Sequence, residues 1–210
     1  MRRCVIIGNA PITDYEGIKG LLREDDHIIC CDGGRKHAAL LGIVPDLLVG
    51  DFDSSERPDT DIETIVLPRE KDDTDSFFAA KEGVSRGFKE FLLIGVFGGR
   101  LDHSMVNISV MLWLYKQGIP CMAADDLSVM EIVGEKEVTI DGSYPYFSLL
   151  CIDGEAKGVN ISGAKFPLDG GTVTPTYQYA TSNEVLPGGT ASVSVKDGVL
   201  LLIKVKRDYE

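Results

Sequence analysis

The sequence has few of the features that mark disulfide-rich, zinc-binding or membrane-spanning proteins. Its cysteines number five, an odd count, and no two of them are spaced as Cys-X-X-Cys. This pattern argues against a disulfide framework and a zinc site, so we interpret the cysteines as small apolar core residues. No apolar run approaches the roughly 20 residues of a membrane span. We therefore expect no membrane-spanning segment.

Positive charge is also scarce. There are 21 Lys and Arg against 33 Asp and Glu, giving a net charge of −12. Such a surface repels nucleic acid and anionic lipid, and we expect neither as a partner. A cationic ligand would be favoured, whereas an anionic ligand would need metal ions or local cationic groups. The apolar run after Arg2 and Arg3 is too short for a signal peptide, which predicts the first strand of a cytoplasmic protein.

Two nucleotide-binding fingerprints are missing. The sequence contains neither GxxxxGK[ST] nor GxGxxG, which excludes the P-loop and the dinucleotide motif. We also find no internal repeat and no low-complexity linker. A nucleotide site, if present, must therefore be built from other residues.

Residues 1–126 alternate continuous apolar runs with helical patterns. The runs are CVIIGN, HIICCDGG, DLLVGDF, TIVLP, FLLIGVFGG and IPCMAAD. Fully apolar strands separated by helices predict an α/β domain with a mostly parallel, Rossmann-like sheet that is covered on both faces. Gly42 is expected to end one helix, and Thr74 or Asp75 to cap another. In the longest helix, the spacing predicts one face formed by Met105, Ile108, Leu112 and Tyr115.

Residues 127–210 have a different sequence pattern. Short strands are broken by Asp-Gly and Gly turns, and helical periodicity is absent, which predicts an all-β sandwich or open barrel. The stretch TASVSVKDGVLLLIKVK predicts a hairpin about Asp197-Gly198. Its apolar segment, 199–203, would be exposed on a monomer, so we expect a homodimer formed through this half.

The unusual polar residues follow the predicted parallel strands. They are Asp32, Gly33 and Gly34 in CCDGG; Asp51 and Asp53 in VGDFDS; Asp72, Asp73 and Asp75 in KDDTD; and Gly98, Gly99, Arg100, Asp102 and His103 in FGGRLDH. Ligands bind at the carboxyl ends of such strands, so these groups are expected to converge on one crevice. Clustered carboxylates suit Mg²⁺, and glycine turns at helix N-termini suit phosphate, which Arg100 could also grip. The pattern predicts metal-assisted phosphoryl or pyrophosphoryl transfer.

Each group also has a purely structural interpretation. Asp-Gly-Gly forms ordinary turns, the acids of KDDTD can cap a helix, and His103 can be a hydrogen-bonded structural histidine. GDFDS is the stronger signal, because an apolar strand has no structural need for two acids at its tip. The convergence of all four groups is what favours a site.

The ordered set CDGG, PDLLVGDFDS, KDDTD, and GGRLDH followed by Asn107 resembles the thiamine pyrophosphokinase family. ISGAKFPL and TSNE, in the second half, are similar to motifs of that family's β-domain. The resemblance implies transfer of a pyrophosphate group from ATP to the hydroxyl of thiamine, giving thiamine diphosphate and AMP. It also implies a homodimer of chains that each carry a nucleotide-binding catalytic domain, 1–126, and a β-sandwich for thiamine binding and dimerisation, 127–210.

The resemblance assigns roles residue by residue. Asp51, Asp53, Asp72 and Asp75 become the catalytic acids that hold Mg²⁺ at the phosphates. ATP would be bound by Asp32, Gly33, Gly34, Thr74 and Arg100. Thiamine would be bound by Asp102, Ser182 and Asn183.

Two alternatives remain open from the residues. LLVGDFDSS also resembles the aspartyl-phosphate motif of haloacid-dehalogenase-type phosphatases, although two predicted strands precede it here and the β-rich half does not fit. A non-catalytic nucleotide sensor on the same fold is the other. The three hypotheses differ in their products, which are AMP, inorganic phosphate, or none.

Overall fold

The computed structural model describes residues 2–51, 61–70 and 72–206. The chain divides into two compact units, Met1–Asp126 and Leu127–Glu210, which are described separately. No helix in the described ranges is long and apolar enough to cross a membrane.

The first unit alternates strands and helices. Its strands are β1 (Cys4–Ile7), β2 (His27–Cys31), β3 (Leu47–Gly50), β4 (Glu63–Val66), β5 (Phe91–Ile94) and β6 (Cys121–Ala124). Its helices are α1 (Tyr15–Lys19), α2 (Arg35–Leu41), α3 (Asp75–Ser85) and α4 (Leu101–Lys116), with a short 3₁₀ turn at Asp32–Gly34.

The six strands of the first unit form a parallel sheet in the order β4-β3-β2-β1-β5-β6. Every residue of β1, β2, β3 and β5 is buried, as expected of strands covered on both faces. The predicted parallel α/β fold is confirmed. Cys4 of β1 pairs with His27 on one side and with Phe91 on the other, so the strand order reverses at β1. Such a reversal opens a crevice at the carboxyl ends of the strands.

Two helix boundaries lie where the sequence places them. The Thr74 side chain caps α3 by accepting a 3.3 Å hydrogen bond from the Phe77 N–H. Gly42 follows α2 with φ 71°, the left-handed conformation that glycine adopts without strain. The first cap matters for function, because it fixes the start of a helix that opens onto the crevice.

The longest helix predicted from the spacing is present as α4, but the face marked by that spacing is not the buried one. The positions that are buried are Asn107, Val110, Met111 and Leu114. Of the predicted set, Met105 is 57% exposed and Ile108, Leu112 and Tyr115 are only half-buried. Apolar residues occur around most of this helix, so more than one face satisfies a helical period. The buried face also contains an asparagine, which a search for apolar spacing passes over.

The second unit is an antiparallel β-sandwich. Its strands are β7 (Ser128–Val133), β8 (Val138–Asp141), β9 (Tyr146–Cys151), β10 (Ala156–Ser162), β11 (Leu168–Val173), β12 (Thr190–Asp197) and β13 (Leu200–Val205). One layer places β13 between β7 and β9, and the other has the order β11-β10-β12-β8. Phe147 and Leu149 of the first layer share a core with Val159 and Val193 of the second. The sandwich prediction is thereby confirmed.

The hairpin predicted about Asp197-Gly198 is wrong. β12 pairs with β10 and β8, whereas β13 pairs with β7 and β9, so the chain passes from one layer to the other at this turn. Gly198 has φ 85°, and a side chain there would overlap the Glu155 carbonyl oxygen. The Asp-Gly pair therefore makes a corner of the sandwich instead of a two-residue hairpin loop.

The dimer prediction assumed that the apolar segment 199–203 is exposed on a monomer, and the same geometry shows that most of it is not. Leu200, Leu201 and Leu202 are buried, and β13 has a neighbouring strand on each side. The apolar segment 199–203 is therefore not an exposed edge, and it gives no reason for a second copy to bind.

Candidate active site

A cleft of about 580 Å³ opens at the carboxyl ends of β1, β2, β3 and β5. It is lined by residues 8–11 after β1, 31–32 at the end of β2, Asp51 after β3, and the loop after β5. The first residues of α3 and His103 and Asn107 of α4 complete the lining. The cleft therefore lies where the strand order reverses, the usual ligand position of an open parallel sheet.

Five of the residues to which the resemblance assigns a role line this cleft together: Asp32, Asp51, Thr74, Asp75 and Arg100. Gly98, Gly99 and His103, which the sequence also expects at the crevice, line it as well. Gly33, Gly34, Asp72 and Asp102 do not line it. Asp53 lies outside the described residues. Ser182 and Asn183 belong to the second unit. The structure thus brings together residues from four separate segments of the first unit.

Asp32 has an unusual backbone. Its φ is 43°, and within the described ranges it shares a positive φ with just one other non-glycine residue, Ser182. Non-glycine residues in this conformation are strained, and they concentrate at functional sites. Both residues belong to motifs assigned to substrate binding from the sequence.

The glycines around Asp32 allow three strand ends to pack closely. A Cβ on Gly34 would overlap the Ile7 carbonyl oxygen of β1, and one on Gly33 would lie 2.6 Å from the Asn9 side chain. A Cβ on Gly50 would overlap Oδ1 of Asp32. Gly33 and Gly34 therefore shape the wall of the cleft, and their role follows from the absence of a side chain.

The floor of the cleft carries negative charge. Cys31 lines the cleft but is almost fully buried, and its thiol pKa is raised well above the usual value, first by burial and next by the charge of Asp75, with a smaller contribution from Asp32. Both carboxylates thus lie near the same sulfur. The thiol stays protonated, so Cys31 is a packing residue rather than a nucleophile.

A series of hydrogen bonds links the start of α3 to the loop after β5. The Thr74 and Ser76 hydroxyl oxygens lie 3.2 Å apart, and the Ser76 hydroxyl donates to Asn107 Oδ1 over 2.6 Å. Asn107 is buried, and its Nδ2 donates to the Val96 carbonyl oxygen over 2.7 Å. These side chains therefore hold α3, α4 and the loop after β5 in fixed positions relative to one another.

Arg100 and Asp102 form a two-pronged ion pair at the start of α4. The guanidinium Nε and Nη2 donate to the two carboxylate oxygens over 3.1 and 2.5 Å. This pairing, helped by the His103 N–H, lowers the pKa of Asp102 to about 2. Both side chains are exposed, at 71% and 63%. Asp102 is thus fully ionised at neutral pH and is presented to solvent beside the cleft.

Ser182 and Asn183 differ in what their side chains do. Ser182 is exposed, and its N–H donates to the Ser148 hydroxyl over 3.0 Å. Asn183 is buried, where Oδ1 accepts from the N–H groups of Phe166 and Glu184 and Nδ2 donates to the Phe166 carbonyl. Its hydrogen bonds thus hold the loop together and leave Ser182 at the surface.

The carboxylates fit a magnesium ion in part. Among residues 2–51, 61–70 and 72–206, no group of three or more His, Cys, Asp or Glu side chains is placed to hold a metal. Mg²⁺, however, commonly uses one or two carboxylates together with waters and substrate phosphates. Asp51 and Asp75 line one cleft and supply the hard oxygen donors that this ion prefers. The donor set therefore suits a metal that arrives with a phosphate-bearing substrate.

Sequence reasoning missed part of the cleft. Asn9 and Ser76 line it, yet neither was singled out, and Asn107 entered only through a resemblance. The signal for Asn9 was available, because β1 is a parallel strand like the others and GNAP follows its carboxyl end. Ser76 gave no comparable signal, since a serine in the first turn of a helix is common.

An acid-lined cleft at the reversal point of a parallel sheet, in a chain that also carries a β-sandwich, is typical of an α/β enzyme acting on phosphate-bearing substrates. Comparison with known proteins identifies the family within this class. The model of the thiamin pyrophosphokinase catalytic domain matches residues 18–123, and the model of the thiamin pyrophosphokinase vitamin B1 binding domain matches residues 131–200. The chain therefore belongs to the thiamin pyrophosphokinase family.

Individual relatives agree. The thiamine pyrophosphokinase of Bacillus subtilis is 26% identical over 212 residues, covering 97% of this chain and 99% of the relative. The crystal structure of a Bacillus subtilis thiamine pyrophosphokinase matches with a TM-score of 0.86 at 22% identity, covering 99% of this chain and all of that one. The structure of the thiamin pyrophosphokinase from Candida albicans matches with a TM-score of 0.76 at 15% identity, covering 97% of this chain and 89% of that one. At these identities the two structures support the fold.

Membership of the family confirms the resemblance seen in the sequence. The chain is an enzyme of the thiamine diphosphokinase class, and its activity is the synthesis of thiamine diphosphate by pyrophosphate transfer. Neither alternative, the phosphatase and the sensor, is supported by any of these matches.

Proposed function

We propose that the cleft of the first unit binds ATP with Mg²⁺ and directs its β-phosphorus towards the hydroxyl group of thiamine. The observation that carries the proposal is the convergence of Asp32, Asp51 and Asp75 with the start of α3 in one cleft. Acids alone would repel a triphosphate, so their grouping makes sense where a divalent cation accompanies the substrate.

Asp51 and Asp75 are proposed as metal ligands, together with Asp53 and Asp72 from the same two motifs. Mg²⁺ bound there would neutralise phosphate oxygens and help AMP to leave. By holding that ion, the carboxylates would fix the position of the phosphates, so that the thiamine hydroxyl can attack in line with the departing group. The positive end of α3, a helix of eleven residues, favours the same anion.

Asp32, Gly33, Gly34, Thr74 and Arg100 are proposed to form the ATP side of the cleft. The two glycines contribute by letting β1 and β2 approach each other, which gives the nucleotide access to the backbone. Arg100 lines the cleft while paired with Asp102, so it reaches a phosphate only by changing or sharing that partner.

Thiamine is proposed to interact with Asp102, Ser182 and Asn183. The thiazolium ring carries a fixed positive charge, and Asp102 is a fully ionised, exposed carboxylate. Ser182 offers an exposed hydroxyl, whereas Asn183 acts by holding the Ser182 loop.

We further propose that the protein is a cytoplasmic homodimer. Segment 199–203, on which the dimer was predicted, gives no support. Support for a second copy comes instead from α4 of the first unit, where Leu101, Met105 and Val106 are 75%, 57% and 38% exposed on the first two turns. Apolar side chains grouped in this way are typical of a surface covered by another chain. Light scattering of the purified protein and of Met105→Glu tests this, with dimer and monomer expected respectively. A monomeric parent protein would contradict the proposal.

One assay tests the reaction. The protein is incubated with ATP, Mg²⁺ and thiamine, and the products are separated by chromatography. AMP and thiamine diphosphate in equal amounts are expected. Release of inorganic phosphate without thiamine diphosphate, or no product at all, would contradict the proposed function. Omission of thiamine controls for hydrolysis of ATP.

A further inference from the structure

We propose that Asn107 is a positioning residue for ATP: through Ser76 and Thr74 it fixes the start of α3 against the loop after β5. This inference rests on the proposed use of the cleft for ATP. It assigns a role to a residue that the sequence marks only as part of a motif.

The donor and acceptor of each hydrogen bond in the series Thr74–Ser76–Asn107–Val96 follow from the chemistry of the groups. The Val96 carbonyl oxygen can only accept, so it must face the Nδ2 of Asn107, which lies 2.7 Å away. Oδ1 then faces Ser76, and because an amide oxygen can only accept, the Ser76 hydroxyl is the donor over 2.6 Å. The single proton of Ser76 is thereby used.

The direction of the hydrogen bond between Thr74 and Ser76 follows from this. Its hydroxyl lies 3.2 Å from the Ser76 hydroxyl, whose proton is already committed to Asn107, so Thr74 must donate to Ser76. The Thr74 oxygen also accepts from the Phe77 N–H. Neither hydroxyl has a proton left for a phosphate oxygen. Phosphate contacts at this end of α3 are therefore expected from backbone N–H groups of the first turn, where the helix dipole is positive.

Backbone donors bind a phosphate well only when they are held in place. Here the first turn of α3 is held by Ser76, and Ser76 is held by an asparagine that is buried and anchored to the loop after β5. Asp75, a proposed metal ligand, lies between Thr74 and Ser76 in the chain. Asn107 thus acts on ATP through α3, although it belongs to α4.

The test measures binding rather than turnover. Calorimetry gives the affinity for an ATP analogue with a methylene bridge between the α- and β-phosphorus atoms, in the presence of Mg²⁺, and separately the affinity for thiamine. Ser76→Ala should weaken analogue binding about five- to tenfold, the effect of losing one hydrogen bond, and change thiamine binding less than about twofold. Ser76→Thr, which keeps the hydroxyl, should recover most of the loss.

Two further variants separate positioning from general loss of structure. Ser85→Ala removes an exposed hydroxyl at the other end of α3, which donates to the Glu82 carbonyl, and should leave both affinities unchanged. Asn107→Ala should weaken analogue binding like Ser76→Ala, and the double variant should lose little more than either single one. Thermal unfolding establishes that each variant is folded at the assay temperature.

The inference is overturned if Ser76→Ala binds the analogue as the parent protein does, or if it weakens both ligands equally. Additive losses in the double variant would also overturn it. The parent protein is assayed first for thiamine diphosphate. Failure to form it contradicts the proposed function, whereas product formation with unchanged Ser76→Ala binding contradicts only the role of Asn107.

Discussion

Gly50 and Asp32 are packed so closely that a methyl group added to Gly50 would overlap Oδ1 of Asp32. The end of β3 therefore determines where a carboxylate at the end of β2 can lie. Asp32 is itself held with φ 43°, so it has little freedom to move aside.

We predict that Gly50→Ala displaces Asp32 from the cleft. Overpacking of this kind costs about 1–3 kcal/mol of stability, and ATP binding should weaken because the wall of the cleft shifts. Thermal unfolding and the KM for ATP measure the two effects. Gly20→Ala is the matched control, because a Cβ there makes only ordinary contacts of 3.5 and 3.7 Å. Equal behaviour of the two variants would contradict the prediction.

Asp51→Asn and Asp75→Asn should each lower turnover by about a hundredfold or more, because asparagine keeps the size but loses the charge that a metal ion needs. The Mg²⁺ concentration for half-maximal activity should rise. The same result is expected for Asp53→Asn. The measurement is a titration of activity with Mg²⁺ at saturating ATP and thiamine.

Asp73→Asn is the control for these three variants. Asp73 belongs to the same KDDTD motif, but its carboxylate pairs with Lys81 at 2.8 Å on the surface. Its loss should leave the Mg²⁺ requirement unchanged. If Asp73→Asn raised the Mg²⁺ concentration for half-maximal activity as much as Asp75→Asn does, the effect would reflect the loss of any negative charge, and the assignment of Asp75 as a metal ligand would be contradicted.

Asp102→Asn should raise the KM for thiamine far more than the KM for ATP, by roughly ten- to a hundredfold for a charge-assisted contact. Steady-state kinetics with each substrate varied in turn make the comparison. A larger change for ATP would mean that Asp102 acts through Arg100, its partner.

The pH dependence of thiamine binding gives an independent check on Asp102. The pKa of this carboxyl is lowered to about 2, below that of an unfolded aspartate, so its charge is present above that range and is lost only as pH falls through the lowered value. The KM for thiamine should therefore show no ionisation of Asp102 between about pH 5 and 9. An ionisation in this interval that disappears in Asp102→Asn would contradict the assignment.

The opposite end of the sheet provides a prediction about stability alone. Arg3 and Asp26 form a buried ion pair with contacts of 2.9 and 2.7 Å. Asp26→Ala leaves the guanidinium buried without its partner and should lower the free energy of unfolding by about 3–5 kcal/mol. Denaturant unfolding measures this. Arg23→Ala, which breaks an exposed pair with Glu90, should have a much smaller effect, and comparable losses would contradict the prediction.

Local chemistry explains which features the sequence predicted. The caps at Thr74 and Gly42 depend on one residue and its immediate neighbours, and the apolar runs of the parallel strands reflect burial on both faces. The acids at the ends of β2 and β3 were found because an apolar strand does not otherwise need them. Each of these signals is present in a short stretch of sequence.

The features that escaped prediction depend on distant parts of the chain. Whether Asp197-Gly198 makes a hairpin or a corner is decided by the partner strands, since β12 pairs with β10 and β8 whereas β13 pairs with β7 and β9. Which face of α4 is buried is decided by its packing against α3 and β6, and by Asn107, which bonds to Val96 and Ser76. No pattern within either segment contains that information.

The position of β1 has a consequence for how the chain folds. Its partner β2 follows soon in the sequence, but its other neighbour, β5, begins only at Phe91. During synthesis β1 therefore remains an open edge until much of the first unit has left the ribosome, and closing so long a loop is slow. The crevice cannot form before that closure. We expect a nascent chain to bind ATP only after β5 has been added.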